Sequence, residues 1–142
     1  YARVTIVGIT RGVNKYHIIR ATLESMAYQV RDVLDVMEKD SGIVLSLLNV
    51  DGGASTNDFL MQTQADFCNV RVERPKCVET TALGVAYLAG LAVGFWNSIE
   101  DIKGSRSIDR VFTPNLCEEV RKEKIRMWKK AVKYAFGWAK ED

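Results

Sequence analysis

Apolar residues recur at spacings of three and four through Tyr16, Ile19, Leu23, Met26, Val30, Val33 and Met37. That period predicts a helix from Lys15 to about Lys39, its seam docked on a sheet over about six turns. Asn14 stands where its side-chain oxygen can accept a free backbone N–H, and Ser41-Gly42 closes the run. Ahead of the helix, Val4–Gly8 alternates and reads as a short strand or an extended loop, followed by turn chemistry at Thr10–Asn14. Val44–Val50 is mostly apolar on both faces, which suits a buried parallel strand. Asp51–Ser55 is a tight turn, and Ser55 and Asp58 are spaced as a capping pair for the next helix. That helix runs to about Phe67, with Leu60, Gln64 and Phe67 on one side. Val70–Arg74 alternates as a second strand and is stopped by Pro75.

A third helix is predicted from near Val78 to about Trp96. It is crowded with Ala82, Gly84, Ala86, Ala89, Gly90, Ala92 and Gly94. Each glycine costs about 1 kcal/mol against alanine, so close approach of another element or a ligand is expected. Its apolar part, Ala82–Trp96, falls short of the ~20 residues a membrane span needs, so a buried core helix is expected. Ser98–Ile102 reads as a helical turn, and Lys103–Pro114 as irregular, with Val111-Phe112 a candidate edge strand. Cys117 to about Trp138 is a final helix. Its stripe Ile125, Trp128, Val132 and Phe136 docks on the body, while Glu118, Arg121, Lys122, Lys129 and Lys130 are solvated. The order helix–strand–helix–strand–helix predicts an α/β fold. A composition shift separates 1–102 from an appended 103–142, which holds the irregular segment and the docking helix.

Composition narrows the function. With 47% hydrophobic and 27% charged residues in 142, the chain is globular and of one-domain length, which excludes a disordered tail or linker. Twenty basic against 18 acidic residues leave a net charge of +2, so there is no electrostatic case for nucleic acid or an anionic membrane. His17 is the single histidine; it excludes a multi-histidine metal site and reads as structural. Cys68, Cys77 and Cys117 form no C-x-x-C pair, which predicts neither disulfides nor zinc and fits a reduced cytoplasmic protein. Cys68 is expected to pack as a small hydrophobe. Cys77, beside Lys76, is read the same way, with a slightly activated thiol as the sharper alternative. Arg71, Arg74 and Lys76 read as a solvated basic edge, and Trp96, Trp128 and Trp138 as core or docking anchors. No basic leader with an apolar stretch opens the chain, and the non-methionine start suggests a processed or truncated piece.

The strongest local candidate for chemistry is Asp51-Gly52-Gly53-Ala54-Ser55-Thr56-Asn57, a strand running through two glycines into a helix. Ligands bind outside the carboxyl ends of strands in open α/β sheets. Glycine lets backbone approach a ligand, free helix N–H groups attract phosphate, and Asn57 offers an amide donor and acceptor to a base or ribose. A plain tight turn explains the same glycines. The Walker spacing is missing.

Three runs resemble the FGGY family of carbohydrate kinases, in particular its glycerol-phosphorylating branch. They are Gly12–Leu34, Val50–Asp66 with its DGGASTNDFLMQTQAD, and Glu79–Trp96 with its ETTALGVAYLAGLAVGFW; Trp128–Lys133 also fits. The resemblance covers nearly the whole chain and is weakest over Lys103–Arg126. It implies an actin-like, ribonuclease H-like ATPase domain with a C-terminal helical extension, of which 1–102 are a later part. It implies ATP and ADP as nucleotides, Mg2+ held mainly elsewhere, glycerol as substrate, and a homo-oligomer. Gly52, Gly53, Ala54 and Asn57 are then the nucleotide-binding residues, and the small residues of the third helix pack behind them. No residue matches the family's catalytic aspartate, its substrate contacts or its phosphate loops, so no catalytic residue and no metal ligand is assigned. Thr56 and Asp58 depart from the family's small residue and asparagine, and Asp58 is expected to weaken ATP binding slightly by like-charge repulsion. Two other readings fit the same residues: a kinase of another small polyol or sugar, and a non-catalytic actin-like ATP-binding module. The apolar surface left without strands is expected to make an isolated piece associate.

Overall fold

The computed structural model describes residues 3–105 and 107–139. Tyr1, Ala2 and Arg106, which belong to the expected start and the expected irregular stretch, lie outside them. In chain order the elements are α1 (Lys15–Ser41), β1 (Leu47–Asn49), a short 3-10 helix (Gly53–Thr56) and α2 (Asp58–Cys68). There follow β2 (Arg71–Pro75), α3 (Thr80–Ala92), α4 (Ile99–Ser105), β3 (Ile108–Phe112) and α5 (Glu118–Tyr134). The mixed α/β class read from the sequence holds. The segment before α1 forms neither strand nor helix from Arg3 to Gly8.

α1 begins and ends where its caps dictate. Asn14 Oδ1 accepts from the backbone N–H groups of Tyr16 and His17, and the Asn14 N–H donates to His17 Nδ1 at 3.2 Å. The histidine is therefore half of a reciprocal cap, a structural post. At the other end the Gly42 N–H donates to the Glu38 carbonyl at 2.9 Å.

The expected seam of α1 is not the face that packs. Ile19, Met26, Val30, Val33 and Met37 are exposed, while Ala27, Tyr28 and Leu34 are buried. The buried face carries polar groups that find partners. Arg31 Nη1 donates to the Phe67 carbonyl at 2.8 Å, Trp128 Nε1 donates to Asp32 Oδ2 at 2.7 Å, and Lys124 reaches Glu24. A count of apolar positions missed this face because paired polar side chains can line a packed one.

The sheet has the order β1-β2-β3, with β1 parallel and β3 antiparallel to β2. The parallel pairing of the first strand is as expected, but its burial is not. β1 lies at a sheet edge with Leu47 and Asn49 exposed, and Ile43 and Val44 stand outside the strand. Strand β3 is the expected edge strand, extended to five residues. Between the pairs Arg74↔Arg110 and Pro75↔Ile108 the register slips, so Asp109 is an extra residue in β3. Proline, which cannot donate to the ladder, sits at that irregularity.

The core joins α1, α2, β2, β3 and α5. Tyr28 stacks between Phe67 and Trp128, with centroids 4.3 and 5.1 Å away, and Met61, Ala65, Val72 and Phe112 close around it. Burial pushes the Tyr28 phenol pKa well above its usual range, with Glu24 adding to the effect. Ile125 and Trp128 dock α5 as the stripe requires, but Phe136 lies beyond the helix end and is exposed. Trp138, expected as an anchor, is 71% exposed.

Helix α3 departs furthest from expectation. It starts at Thr80 and stops at Ala92, it contains no buried residue, and Leu88 and Val85 face solvent. After Gly94 the chain doubles back so that the Trp96 ring covers Gly90, where a Cβ would overlap it. Of the two glycines within α3, Gly90 alone meets a close approach; nothing lies within 4 Å of the Cβ position of Gly84. Among the described residues no helix is long and apolar enough to cross a membrane.

Replacing Trp128 by Ala removes both the stack and the Asp32 bond. Trp128 is only half-buried, so unfolding free energy should fall by roughly 2–3 kcal/mol, below the cost at fully buried sites. Denaturant titration of the protein checks this, and an unchanged midpoint would mean that α5 does not support the core.

Candidate functional site

Strand β1 delivers the chain into the turn at the carboxyl end of the parallel pair β1–β2. Gly52 has φ 75° and ψ 172°, a conformation that a Cβ disfavours. Its N–H donates to the Val78 carbonyl at 2.8 Å, and the preceding Asp51 carboxylate accepts from Thr80 Oγ1. These two bonds tie the near end of the turn to the start of α3. Ser55 is buried, and its Oγ donates to the Gly52 carbonyl at 2.7 Å.

The four residues singled out from the sequence therefore have distinct situations. The Gly52 N–H is spent within the fold. Gly53 and Ala54 open the 3-10 helix and are exposed, and nothing lies within 4 Å of the place a Gly53 Cβ would occupy. Asn57 is not inside the helix but is its N-cap, with Oδ1 accepting from the Leu60 N–H at 3.0 Å. Its amide NH2 and one Oδ1 lone pair are left for a ligand. The expected Ser55–Asp58 capping pair does not form, because the intervening 3-10 turn hands the capping position to Asn57. At the start of α2 the Leu60 N–H is capped by Asn57, and Asp58 places a carboxylate in the first turn, which disfavours a phosphate there.

Asp58 is also not a free charge. Its Oδ1 accepts from Arg74 Nη1 at 2.8 Å, and its Oδ2 pairs with Arg110 Nη1. Two guanidinium groups on one carboxylate remove the basis for the expected repulsion of ATP. Arg74 is likewise not part of a solvated edge. Its side chain is 12% exposed and lies over the Phe112 ring, its Nε donates to Asp109 at 2.7 Å, and its Nη1 donates to the Ser55 carbonyl at 2.9 Å. The Asp109 hydrogen bond, followed by that from Asp58, raises its pKa further above the ordinary value. Sequence reading missed this arginine because its partners lie 16 to 35 residues away. The alternation of β2 was the one local sign, since Arg74 stands on the same face as buried Val72.

Beside Asp51, the ends of β1 and β2 and the helices α3 and α4 enclose a cavity of about 610 Å3. Val50, Leu83, Tyr87 and Ile102 line its apolar part and Thr80 and Lys103 its polar part. The cavity adjoins the glycine turn without including Gly53 or Asn57. Among the described residues no group of three or more His, Cys, Asp or Glu side chains is placed to hold a metal ion.

Residues 1–93 match the family model described as the C-terminal domain of the FGGY family of carbohydrate kinases. The chain is 66% identical to a glycerol kinase from Agathobacter rectalis over all 142 of its residues, which make up 28% of that protein. Among solved structures, it resembles the Plasmodium falciparum glycerol kinase with ADP at a TM-score of 0.85 and 39% identity. That match covers 95% of this chain and 27% of the other. The gluconate kinase from Lactobacillus acidophilus gives a TM-score of 0.78 at 25% identity, covering 97% and 28%. The chain thus spans under a third of the length of the proteins it matches.

The cysteines allow a direct test of the packing around the site's supporting helix. Cys68 is buried on α2, and burial pushes its thiol from 9.0 up to about 11, the Gln64 hydrogen bond opposing this. Cys77 and Cys117 are exposed. Alkylation of the native protein near pH 8 should label the two exposed thiols and spare Cys68 until the fold is opened. Because the folded thiol holds its proton more tightly, the Cys68 contribution is intact below pH 9 and is lost as pH rises toward 11. Denaturant midpoints across that window, compared with Cys68→Ser, check the sign.

Proposed function

The chain belongs to the FGGY family of carbohydrate kinases, and from that premise we propose that it is the C-terminal portion of a glycerol kinase. Such an enzyme transfers the γ-phosphoryl group of ATP to a terminal hydroxyl of glycerol, giving sn-glycerol 3-phosphate. The observation that carries the reading is the identity of 66% to a glycerol kinase along the whole chain, against 25% to a gluconate kinase of similar fold. That difference favours glycerol over another sugar or polyol, and it favours an enzyme over a non-catalytic module.

Within that enzyme this chain supplies the adenosine side of the ATP cleft. Gly52, Gly53, Ala54 and Asn57 are the contacts. Gly52 gives the turn its shape, Gly53 and Ala54 stand exposed with their carbonyls already accepting from Thr56 Oγ1 and the Asn57 N–H, and Asn57 presents its side-chain amide NH2. The fit to a nucleotide rests on Gly53, which is exposed with open space where a Cβ would stand, its carbonyl accepting from Thr56 Oγ1 at 2.7 Å. Phosphoryl transfer also needs a base, phosphate contacts and a metal. Magnesium, when bound, offsets charge on the phosphates, and the described residues offer no cluster that would hold it. In this reading residues 1–102 belong to an actin-like ATPase domain and 103–142 to its C-terminal extension, in a cytoplasmic homo-oligomer.

Gly53→Val should leave the fold intact, since nothing lies within 4 Å of the Cβ it adds and the position is exposed. In the full-length enzyme it should raise the KM for ATP by about tenfold or more, as expected for a side chain forced against a ligand. The KM for glycerol should stay unchanged. Steady-state kinetics with each substrate varied in turn decides it; normal ATP affinity would remove the turn from the nucleotide site. The 142-residue chain alone should give no glycerol phosphorylation, and turnover in a coupled ADP-release assay would contradict the division of labour proposed here.

A further inference from the structure

We propose that Arg74 positions the nucleotide-binding turn, and that its contacts with Ser55, Asp58 and Asp109 set the affinity for the nucleoside part of ATP without touching it. The inference rests on the reading that the Gly52–Asn57 turn contacts nucleotide.

A guanidinium sunk to 12% exposure must have its donors answered, because an unpaired buried charge is costly. Here each edge of the fork has a destination. Nε and Nη2 lie 2.7 Å from Asp109 Oδ2, and Nη1 donates both to the Ser55 carbonyl at 2.9 Å and to Asp58 Oδ1 at 2.8 Å. Asp109 is the extra residue of the β3 irregularity, and a bulge of this kind re-aims a side chain. Asp109 and Arg74 form a fixed anchor on the sheet, and the opposite edge of the guanidinium reaches across to the turn.

What it reaches is telling. Ser55 follows Gly53 by two residues inside the 3-10 helix, and Asp58 directly follows Asn57. The near end of the turn is held by the Gly52–Val78 and Asp51–Thr80 bonds, and Arg74 holds the far end. Arg110 pairs with the second Asp58 oxygen and, like Arg74, lies over Phe112, so the clamp is braced from the sheet on two sides. Lysine cannot reproduce it. An ammonium is a point charge, whereas the planar fork serves two directions at once.

The experiment uses the full-length enzyme carrying this segment, with ATP and glycerol varied separately. Arg74→Lys should raise the KM for ATP by about tenfold, as loss of charged hydrogen bonds implies. The glycerol KM and kcat should hold. Asp58→Ala should act in the same direction, and Asp58→Asn, which keeps one acceptor, more weakly. The double variant Arg74→Lys with Asp58→Ala should fall short of the product of the single effects, because the two residues share one network. If Gly53→Val raises the ATP KM and Arg74→Lys does not, the proposal is overturned while the turn keeps its nucleotide role. If Gly53→Val has no effect either, the reading of the turn falls and the proposal with it. Equal changes for both substrates, or a lowered melting midpoint with unchanged ATP KM, would make Arg74 a purely structural residue and would also overturn it. Should Arg74→Lys not fold, the half-exposed Asp58 carries the same decision through its two variants.

Discussion

The stack of Phe67, Tyr28 and Trp128 is the contact on which the rest of the structure depends. It joins α2, α1 and α5, three helices distant in sequence, through one phenol ring lying between two other aromatic rings. Each such pair adds about 0.5–1.5 kcal/mol beyond the area it buries. More important is what it fixes. With α2 held by the stack, Leu60, Met61 and Ala65 share one buried cluster with Val72 and Phe112. The start of α2 then has a defined place, and so does the turn that leads into it.

The turn illustrates how a fold can present backbone to a ligand while leaving few polar groups unanswered. Gly52, Ser55 and Asn57 each spend hydrogen bonds inside the protein, and Asp58 is neutralised by two arginines. Outward stand Gly53, Ala54, Thr56 and the Asn57 amide, with the half-exposed Asp58 carboxylate paired to arginines. Such a surface suits a neutral heterocycle and sugar better than a phosphate. The near-zero net charge noted in the sequence fits this, since a site of this kind needs no cationic cluster.

Local signals were legible in the sequence where the cause is local. Asn14 and Gly42 bound α1 because capping is decided within four residues, and Pro75 marks the end of β2 because proline lacks a donor. The glycine turn was found for the same reason. The packed face of α1 was not legible, since Arg31 and Asp32 are acceptable inside only because Phe67 and Trp128 meet them from other elements. Arg74 was hidden likewise: its half-buried, fully paired state is set by Asp109, Ser55 and Asp58. The Asn57 cap was missed by two residues, because the intervening 3-10 turn occupies Gly53–Thr56, where the capping pattern placed Ser55. Trp138 and α3 show the converse, since apolar residues at helical spacing do not bury themselves without a surface to meet.

The two bonds joining Gly52 to Val78 and Asp51 to Thr80 have a mechanical meaning. They fasten the beginning of the turn to the chain entering α3 and to its first residue, so a displacement of one would be passed to the other. Helix α3 is therefore attached as a lever would be, with the glycine turn as its short arm. Its length of 13 residues, about 20 Å at the helical rise, amplifies any small rotation at the turn into a larger sweep at Ala92. The reverse also holds: pressure on the exposed apolar side of α3 is delivered to the backbone of Gly52. A site built from backbone has few side chains to adjust, so it is tuned by the attitude of the helix to which it is fastened.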